Sequence, residues 1–170
     1  MATGFPPLCV VSTTSAEETR GLARHLAGLV RSGDLIVLCG DLGAGKTVFT
    51  QGLGLALGVE VPITSPTFTL ANRYPGNLTV HHLDVYRLEH IDEVADLGLH
   101  ELIDDNSVTV VEWGDAIAGA LPGGFLEVQL LLGTGPDDRQ VEFRIVGAEW
   151  TDRELSLLAM VSGFTGKPSC

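Results

Sequence analysis

Residues 40–47 carry the clearest chemical signal in this sequence. They read Gly40-Asp41-Leu42-Gly43-Ala44-Gly45-Lys46-Thr47 and match the phosphate-binding pattern G-x-x-x-x-G-K-[ST] at every specified position. Glycines let the backbone curl so that successive amide N–H groups point inward at phosphate oxygens, and a following helix adds the partial positive charge of its N-terminus. Lys46 would then reach the β- and γ-phosphates, and the Thr47 hydroxyl would bind Mg²⁺. The motif predicts a nucleotide site.

Such a loop needs a strand before it and a helix after it. Residues 34–39 (DLIVLC) form a compact apolar run that predicts the strand, and we expect a helix from near Lys46 to Gly58. The chain has only two lysines, Lys46 and Lys167, and one of them stands where the motif requires it. An ordinary Gly-rich turn is the alternative, which pattern, context and lysine position together disfavour.

A phosphate-binding loop also needs an acidic partner at the end of a neighbouring strand to hold Mg²⁺. Two residues fit that requirement: Asp84 ends the stretch 78–84, and Glu112 ends the cleaner apolar run 108–112. Either carboxylate could ligate the metal or position an attacking water, and the sequence leaves these roles open.

Two other polar segments have plain structural alternatives. Residues 65–67 (SPT) lie where many P-loop proteins place a segment that senses the γ-phosphate, although a Pro-containing turn is an equally good explanation. His81 and His82 are adjacent on a predicted strand, so they point to opposite faces and cannot easily share a metal ion. We expect one half-buried and one exposed histidine.

Strands and helices alternate along the rest of the chain. A capping box formed by Ser15 and Glu18 predicts a helix that runs to about Arg31. The other predicted strands are 8–12, 68–70, 78–86, 108–113, 125–130 and 140–145, and the other predicted helices are 90–103 and 152–161. Strands 125–130 and 140–145 would form an antiparallel pair. The pattern predicts an α/β fold, a three-layer P-loop NTPase-like sandwich whose mixed sheet has a parallel centre and an antiparallel portion near the C-terminus. We expect a single domain over residues 1–170, with a core of about 8–161.

Composition excludes several classes of function. The 22 acidic and 10 basic residues give a net charge of −12, which disfavours unaided binding to DNA or RNA, so any nucleic-acid role would need a more basic partner. Three scattered cysteines without a CxxC pair favour a reducing cytoplasm. No apolar run approaches the roughly 20 residues that span a bilayer, and the N-terminus does not read as a signal peptide.

Missing motifs narrow the choice among P-loop proteins. A guanine-binding Asn/Thr-Lys-x-Asp element has no lysine available between Lys46 and Lys167, and no LSGGQ-like transporter signature is present. Small-molecule kinases usually close an Arg-rich lid over the substrate, and the chain has few arginines beyond Arg87 to build one. A small-molecule P-loop kinase therefore stays as the disfavoured alternative.

Four ordered blocks together resemble the TsaE (YjeE) proteins. They are the loop 40–47, Ser65-Pro66-Thr67-Phe68-Thr69-Leu70, His82-Leu83-Asp84-Val85-Tyr86-Arg87-Leu88 and Val111-Glu112-Trp113, and the resemblance runs from about residue 12 to 145. It implies a bacterial cytoplasmic ATPase required to form threonylcarbamoyl-adenosine next to the tRNA anticodon. Such proteins work with the TsaD and TsaB subunits, while TsaC makes the activated intermediate. ATP hydrolysis would reset the complex, with tRNA reached only indirectly and no membrane or DNA involved.

The resemblance also implies roles for single residues. Residues 41–48 would contact ATP or ADP, Lys46 and Thr47 the phosphates and Mg²⁺, and Asp84 and Glu112 would be the acidic metal-site residues. The remaining implied positions are the switch-like segment with Thr67, a nucleotide-flanking Trp113, and Thr13 near the adenine.

One position departs from the family pattern. Many members carry a second threonine where this chain has Val48, so a hydroxyl that could touch the α-phosphate is lost. The change bears on nucleotide affinity and leaves the loop motif intact. A nucleotide-binding module that gates docking without hydrolysis is a third hypothesis.

Overall fold

The computed structural model describes residues 4–86, 98–103, 106–113, 117, 119–121, 123–164 and 168–169. The strands are β1 (Cys9–Thr13), β2 (Leu35–Cys39), β3 (Ala71–Tyr74), β4 (Thr79–Asp84), β5 (Ser107–Glu112), β6 (Phe125–Leu132), β7 (Arg139–Val146) and the two-residue β8 (Pro168–Ser169). The helices are α1 (Ala16–Ala27), α2 (Lys46–Ala56), α3 (Leu99–Leu102) and α4 (Glu154–Gly163), with a short 3₁₀ turn at Thr151–Arg153 before α4.

The described strands form one mixed sheet in the order β3-β4-β5-β2-β6-β7-β1-β8. Its centre, β4-β5-β2-β6, is parallel, and β6 pairs antiparallel with β7, which pairs antiparallel with β1. This confirms the predicted α/β fold with a parallel centre and an antiparallel hairpin near the C-terminus.

The first edge of the sheet differs from the sequence prediction. Residues 68–70 were expected to form a strand, but the amides of Thr69 and Leu70 donate to Pro66 O and close a turn. The strand β3 begins one residue later and pairs antiparallel with β4. The prediction was wrong because the apolar run 68–70 is shaped by this local turn, and Leu70 adopts a positive φ of 64° that a strand cannot use.

Each face of the sheet carries its own apolar core. On the first face, α1, α2 and α4 pack over the sheet through residues such as Leu22, Phe49 and Leu157. The second face is covered in its described part by Leu99 of α3 and Ile117, which pack on residues of β2, β4 and β5. The predicted helix 90–103 falls mostly outside the described residues, and only its end is seen as α3.

Local sequence signals account for where α1 and α2 begin and end. The Ser15 hydroxyl accepts the Glu18 amide at 3.1 Å, and the Glu18 carboxylate accepts the Thr14 amide at 2.7 Å, which confirms the capping box. Helix α1 ends at Ala27 rather than Arg31 because the amides that follow bond three residues back, in tighter turns. Helix α2 ends at Ala56, followed by Gly58 at φ +84° as the predicted cap.

Helix α1 and helix α2 approach each other closely at Gly52. A Cβ there would lie 2.3 Å from the carbonyl oxygen of Arg20. Only glycine allows this contact without a shift of one helix, so Gly52 helps to set the position of α2 and of the loop before it.

A buried ion pair fixes the start of α4. Arg153 donates to both carboxylate oxygens of Asp34, at 2.6 and 2.8 Å, and its guanidinium stacks on the Trp150 ring. Since Asp34 immediately precedes β2, this pair connects the C-terminal helix to the strand that leads into the glycine-rich loop. Among the residues that the structure describes, none of the helices has the length and apolar character that crossing a bilayer requires.

Candidate nucleotide-binding site

The carboxyl ends of three parallel strands bring the predicted acidic residues together. In the sheet register, Leu38 of β2 lies beside Glu112 of β5, which lies beside Asp84 of β4. Successive strand residues alternate between faces, so Asp84 and Glu112 share a face with Val80 and Val110, which pack in the core beneath α1 and α2. Both carboxylates therefore point to the side of the sheet where α2 begins.

The glycine-rich loop has positive φ values at its tightest points, which strongly favour glycine. Gly40 has φ +138°, and a Cβ there would lie 2.3 Å from the carbonyl oxygen of Leu130. Gly43 and Gly45 have φ +79° and +105°. These conformations let the loop turn sharply from β2 into α2, which starts at Lys46 as predicted.

Lys46 is buried and lies against the inside of the loop. Its Nζ donates to the carbonyl oxygens of Gly40 at 2.7 Å and Asp41 at 3.0 Å. The same ammonium lies 3.7 Å from the centroid of the Trp113 ring, a cation–π contact. Trp113 has φ +61°, unusual for a residue with a side chain, and its ring packs on Tyr86.

The hydroxyl of Thr47 contacts the first acidic residue directly, since it donates to Glu112 Oε1 at 2.9 Å. The second acidic residue, Asp84, accepts the Thr67 hydroxyl on Oδ2 at 2.8 Å and the Tyr86 amide on Oδ1 at 2.9 Å. The two carboxylates therefore have different partners: Glu112 is joined to the glycine-rich loop, and Asp84 to the predicted switch-like segment. Both are almost completely buried.

These groups surround a cleft of about 290 Å³. Nearly all the predicted site residues line it; the lining is Leu42, Gly43, Gly45, Lys46, Thr47, Val48, Ser65, Thr67, Asp84, Glu112 and Trp113. A site of this size is close to the smallest usual for small-molecule ligands.

Three predicted contacts lie beside the cleft rather than on its lining. Asp41 is exposed at the top of the loop. Ala44 is buried and lines a smaller cavity of about 70 Å³ on the outer side of the loop, together with Thr19 of α1. Thr13 is also buried, and its hydroxyl lies 2.8 Å from that of Thr19, so it adjoins the smaller cavity through this neighbour.

The residues in the cleft fit a magnesium–nucleotide complex. Mg²⁺ prefers oxygen ligands and is usually held by one or two carboxylates together with substrate phosphates. The Thr47 hydroxyl and the Glu112 and Asp84 carboxylates supply that set, while the loop and the N-terminus of α2 provide amide groups for an anion. Gly43 and Gly45 line the cleft with positive φ values and present no Cβ to it, which is what close approach of a backbone to phosphate requires.

Sequence reasoning missed the role of His82. We expected one half-buried and one exposed histidine, but His81 and His82 are 6% and 0% exposed, because the sheet is covered on both faces. The opposite orientation of the pair was reasoned correctly; the burial was wrong. His82 Nε2 lies 2.7 Å from Glu112 Oε1. His82 precedes Asp84 by two residues on the strand, which puts both side chains on one face of the sheet. This spacing is the sequence signal that could have placed His82 near the acidic residues. Arg87 lies outside the described residues.

A family model described as threonylcarbamoyl adenosine biosynthesis protein TsaE matches residues 13–141 of this chain. The matched span includes the glycine-rich loop, the switch-like segment and both acidic residues. This chain belongs to the TsaE family.

Similar proteins agree with this assignment. The chain is 42% identical over 136 residues to the tRNA threonylcarbamoyladenosine biosynthesis protein TsaE of Bacillus subtilis strain 168, covering 79% of this chain and 84% of the relative. It is also 42% identical over 147 residues to the protein of the same name from Streptomyces coelicolor, covering 82% and 99%. The crystal structure of Bacillus subtilis YdiB matches with a TM-score of 0.73 and 34% identity, over 90% of this chain and 93% of that one.

Arg139 is a second residue of this TsaE-family site that the sequence did not reveal. It begins β7, and its guanidinium donates to the carbonyl oxygens of Ala44 at 2.9 Å and Gly43 at 3.0 Å. It also donates to Pro136 O and Asp138 O in the turn before β7. The hairpin β6–β7 is thereby attached to the outer side of the glycine-rich loop.

Proposed function

We propose that this chain binds and hydrolyses ATP as an accessory protein in the threonylcarbamoyl-adenosine modification of tRNA next to the anticodon. It would act with TsaD and TsaB and reset their complex between turnovers. The observation that carries this proposal is the meeting of Lys46, Thr47, Glu112 and Asp84 in one cleft, in a chain of the TsaE family.

Four side chains of the cleft have stated tasks in this proposal. In the proposed reaction, water would take the γ-phosphoryl group of ATP, which would leave ADP and inorganic phosphate, and a Mg²⁺ ion held by the cleft would neutralise charge on the phosphates. Lys46 provides the positive charge opposite the phosphate oxygens, and Thr47 the hydroxyl for the metal. Glu112 and Asp84 hold the metal or orient water, and their burial keeps these carboxylates away from bulk solvent.

The contact between Thr67 and Asp84 supports a switch role for residues 65–67. Asp84 Oδ2 accepts the Thr67 hydroxyl, which in turn lies 2.6 Å from the Ser65 hydroxyl. A ligand that draws on Asp84 competes with Thr67 for this oxygen, so occupancy of the cleft would be transmitted to the segment. The smaller cavity lined by Ala44 and Thr19 supports a position for the nucleoside part of ATP near the junction of β1 and α1, which includes Thr13.

The acidic surface supports action through partner proteins. A net charge of −12 repels a phosphate backbone, so tRNA would be reached only through TsaD and TsaB, in the cytoplasm. Trp113, between Lys46 and Tyr86, would flank the bound nucleotide. We propose that residues 1–170 act as a single ATPase domain, in which weak activity is raised by the partners.

Reconstituted tRNA modification tests this function. Purified chain, TsaD, TsaB, tRNA and the activated threonylcarbamoyl intermediate are combined, and modified tRNA is counted over many turnovers. Lys46→Ala should stop modification after the first turnover, because it removes the cation of the cleft. Lys167→Ala, which removes the only other lysine, is the matched control and should behave as wild type. Full multiple-turnover modification with Lys46→Ala would overturn the proposal.

A further inference from the structure

His82 is a buried polar side chain whose ring has one hydrogen-bonding partner in the described part of the chain. Its side chain is inaccessible to solvent, and Nε2 lies 2.7 Å from Glu112 Oε1. The other ring nitrogen, Nδ1, has no hydrogen-bond partner among the residues that the structure describes. Burying an unpartnered polar atom is unfavourable, and an apolar side chain would fill this interior position without that cost. Packing alone therefore does not explain a histidine here, whereas the contact with Glu112 does.

Both described hydrogen bonds of the Glu112 carboxylate fall on the same oxygen. Oε1 accepts the Thr47 hydroxyl at 2.9 Å and lies 2.7 Å from His82 Nε2, while Oε2 accepts no hydrogen bond from the described residues. Since a carboxylate only accepts, the proton in the contact with His82 is on Nε2. The two donors fix the rotation of the carboxylate and leave Oε2 as the oxygen available to the cleft.

The two donors differ in what the proposed function asks of them. Thr47 is the hydroxyl assigned to the metal: an oxygen lone pair would bind Mg²⁺, and the direction of its O–H would then follow the position of the ligand. His82 lies beneath the cleft on β4 and makes no second polar contact within the described ranges. It is held by the sheet, where it pairs with Val110 of β5. His82 is therefore the described side-chain donor on Glu112 whose position does not depend on a ligand.

We propose that His82 is a positioning residue that holds the Glu112 carboxylate with Oε2 directed to the magnesium–nucleotide complex. The inference rests on the proposed function. It requires a hydrogen-bond donor at the place of Nε2, and no change in protonation.

The first test uses the free protein. The imidazole Nε2–H proton of His82 should give a slowly exchanging NMR resonance, because it is buried and bonded to a carboxylate. Glu112→Gln should move this resonance strongly, and Thr47→Val, which keeps the carboxylate, should move it much less. A His82 ring without a bonded Nε2–H in the wild type would overturn the inference, whatever the nucleotide does.

The second test measures ADP binding by calorimetry with and without Mg²⁺. His82→Leu should weaken binding in the presence of Mg²⁺ about tenfold and leave metal-free binding within about twofold, because the loop is untouched. His82→Gln places an amide N–H near the position of Nε2 and should recover most of the loss. His82→Asn is too short to do so, and it replaces the leucine variant if that variant does not fold, with melting temperatures recorded for all.

Comparison with Glu112 variants separates positioning from structure. If His82 acts through Glu112, then His82→Leu should add nothing to the loss already caused by Glu112→Gln. An equal loss of ADP affinity with and without Mg²⁺, or a full additional loss in the double variant, would overturn this inference and leave the proposed function standing. A wild-type protein that binds no nucleotide, or binds it without any effect of Mg²⁺, would overturn the proposed function as well.

Discussion

Arg139 should control nucleotide affinity although it lies outside the cleft. Its guanidinium holds the carbonyl groups of Gly43 and Ala44 on the outer side of the loop, with N···O distances of 3.0 and 2.9 Å. When the Ala44 carbonyl points outward, the Gly45 amide of the same peptide is directed inward, towards phosphate, whereas the Ala44 amide already donates to Asp41 O at 3.0 Å. Replacing Arg139 with alanine removes the constraint, so the loop must become ordered each time a nucleotide binds.

The size of this effect follows from the contacts that are lost. A hydrogen bond from a charged donor contributes about 1.5–3 kcal/mol, and a partly exposed guanidinium realises only part of that value. Two such bonds suffice to keep about one residue of the loop backbone ordered in the free protein. Without them, ordering that residue when ADP binds would cost about 1–2 kcal/mol. Since 1.4 kcal/mol corresponds to a factor of ten, Arg139→Ala should weaken ADP binding about tenfold.

Titration calorimetry with ADP and Mg²⁺ measures the effect, and two variants control it. Arg31→Ala removes the same charge at a pair with Asp152 that is 59% exposed on both sides, so it reports the charge effect alone and should stay within about twofold. Arg139→Lys keeps the charge but cannot bond both carbonyls in a fork, so most of the loss should remain. Wild-type affinity in a folded Arg139→Ala protein would refute the reasoning.

Three further outcomes are expected. Val48→Thr adds a hydroxyl beside the cleft and should tighten ADP binding about fivefold, from roughly 1 kcal/mol of hydrogen bonding; unchanged affinity in calorimetry would contradict the assignment of this position. Asp34→Ala removes the carboxylate to which buried Arg153 donates two hydrogen bonds, and it should lower the free energy of unfolding by about 3–5 kcal/mol. Urea titration measures this change, and a loss below about 1 kcal/mol would be inconsistent with the pair. A hydrogen bond and the positive charge of Arg24 hold the pKa of Glu17 below its ordinary 4.5. The contribution of this pair to the stability of the fold is therefore present above that pH and is lost as pH falls. Arg24→Gln should therefore lower the melting temperature near neutral pH and narrow its difference from wild type towards about pH 3, and a constant difference would argue against the pair.

Features encoded within a few neighbouring residues could be predicted from the sequence. The glycine-rich loop, the cap at Ser15 and the β6–β7 hairpin depend on local residue types, and all three are found where they were expected. The positions of Asp84 and Glu112 also followed, because both end apolar runs and parallel strands end at one edge of a sheet.

Features that depend on distant parts of the chain could not be predicted. Arg139 lies 95 residues from the Ala44 carbonyl that it contacts, and no local pattern joins them. The burial of His82 depends on helices that cover the sheet from other parts of the sequence. The position of β3 depends on its pairing with β4, whereas the apolar run at 68–70 only suggested a strand nearby.

The two acidic residues of the cleft show the same difference between local and long-range information. The sequence offered Asp84 and Glu112 as candidates and left the division of roles between them open. The structure gives them different partners: Thr47 and His82 for Glu112, Thr67 for Asp84. Those partners come from the glycine-rich loop, β4 and the switch-like segment, which only the folded chain brings together.

The central claim is that this cleft hydrolyses ATP in the service of its partners. The most direct test is Mg²⁺-dependent ATP hydrolysis by the purified chain, first alone and then with TsaD and TsaB added. We expect slow turnover alone, a clear rise with the pair, and loss of both rates in Glu112→Gln. A rate that does not respond to the pair, together with phosphate transfer to a metabolite, would contradict the claim and favour a small-molecule kinase.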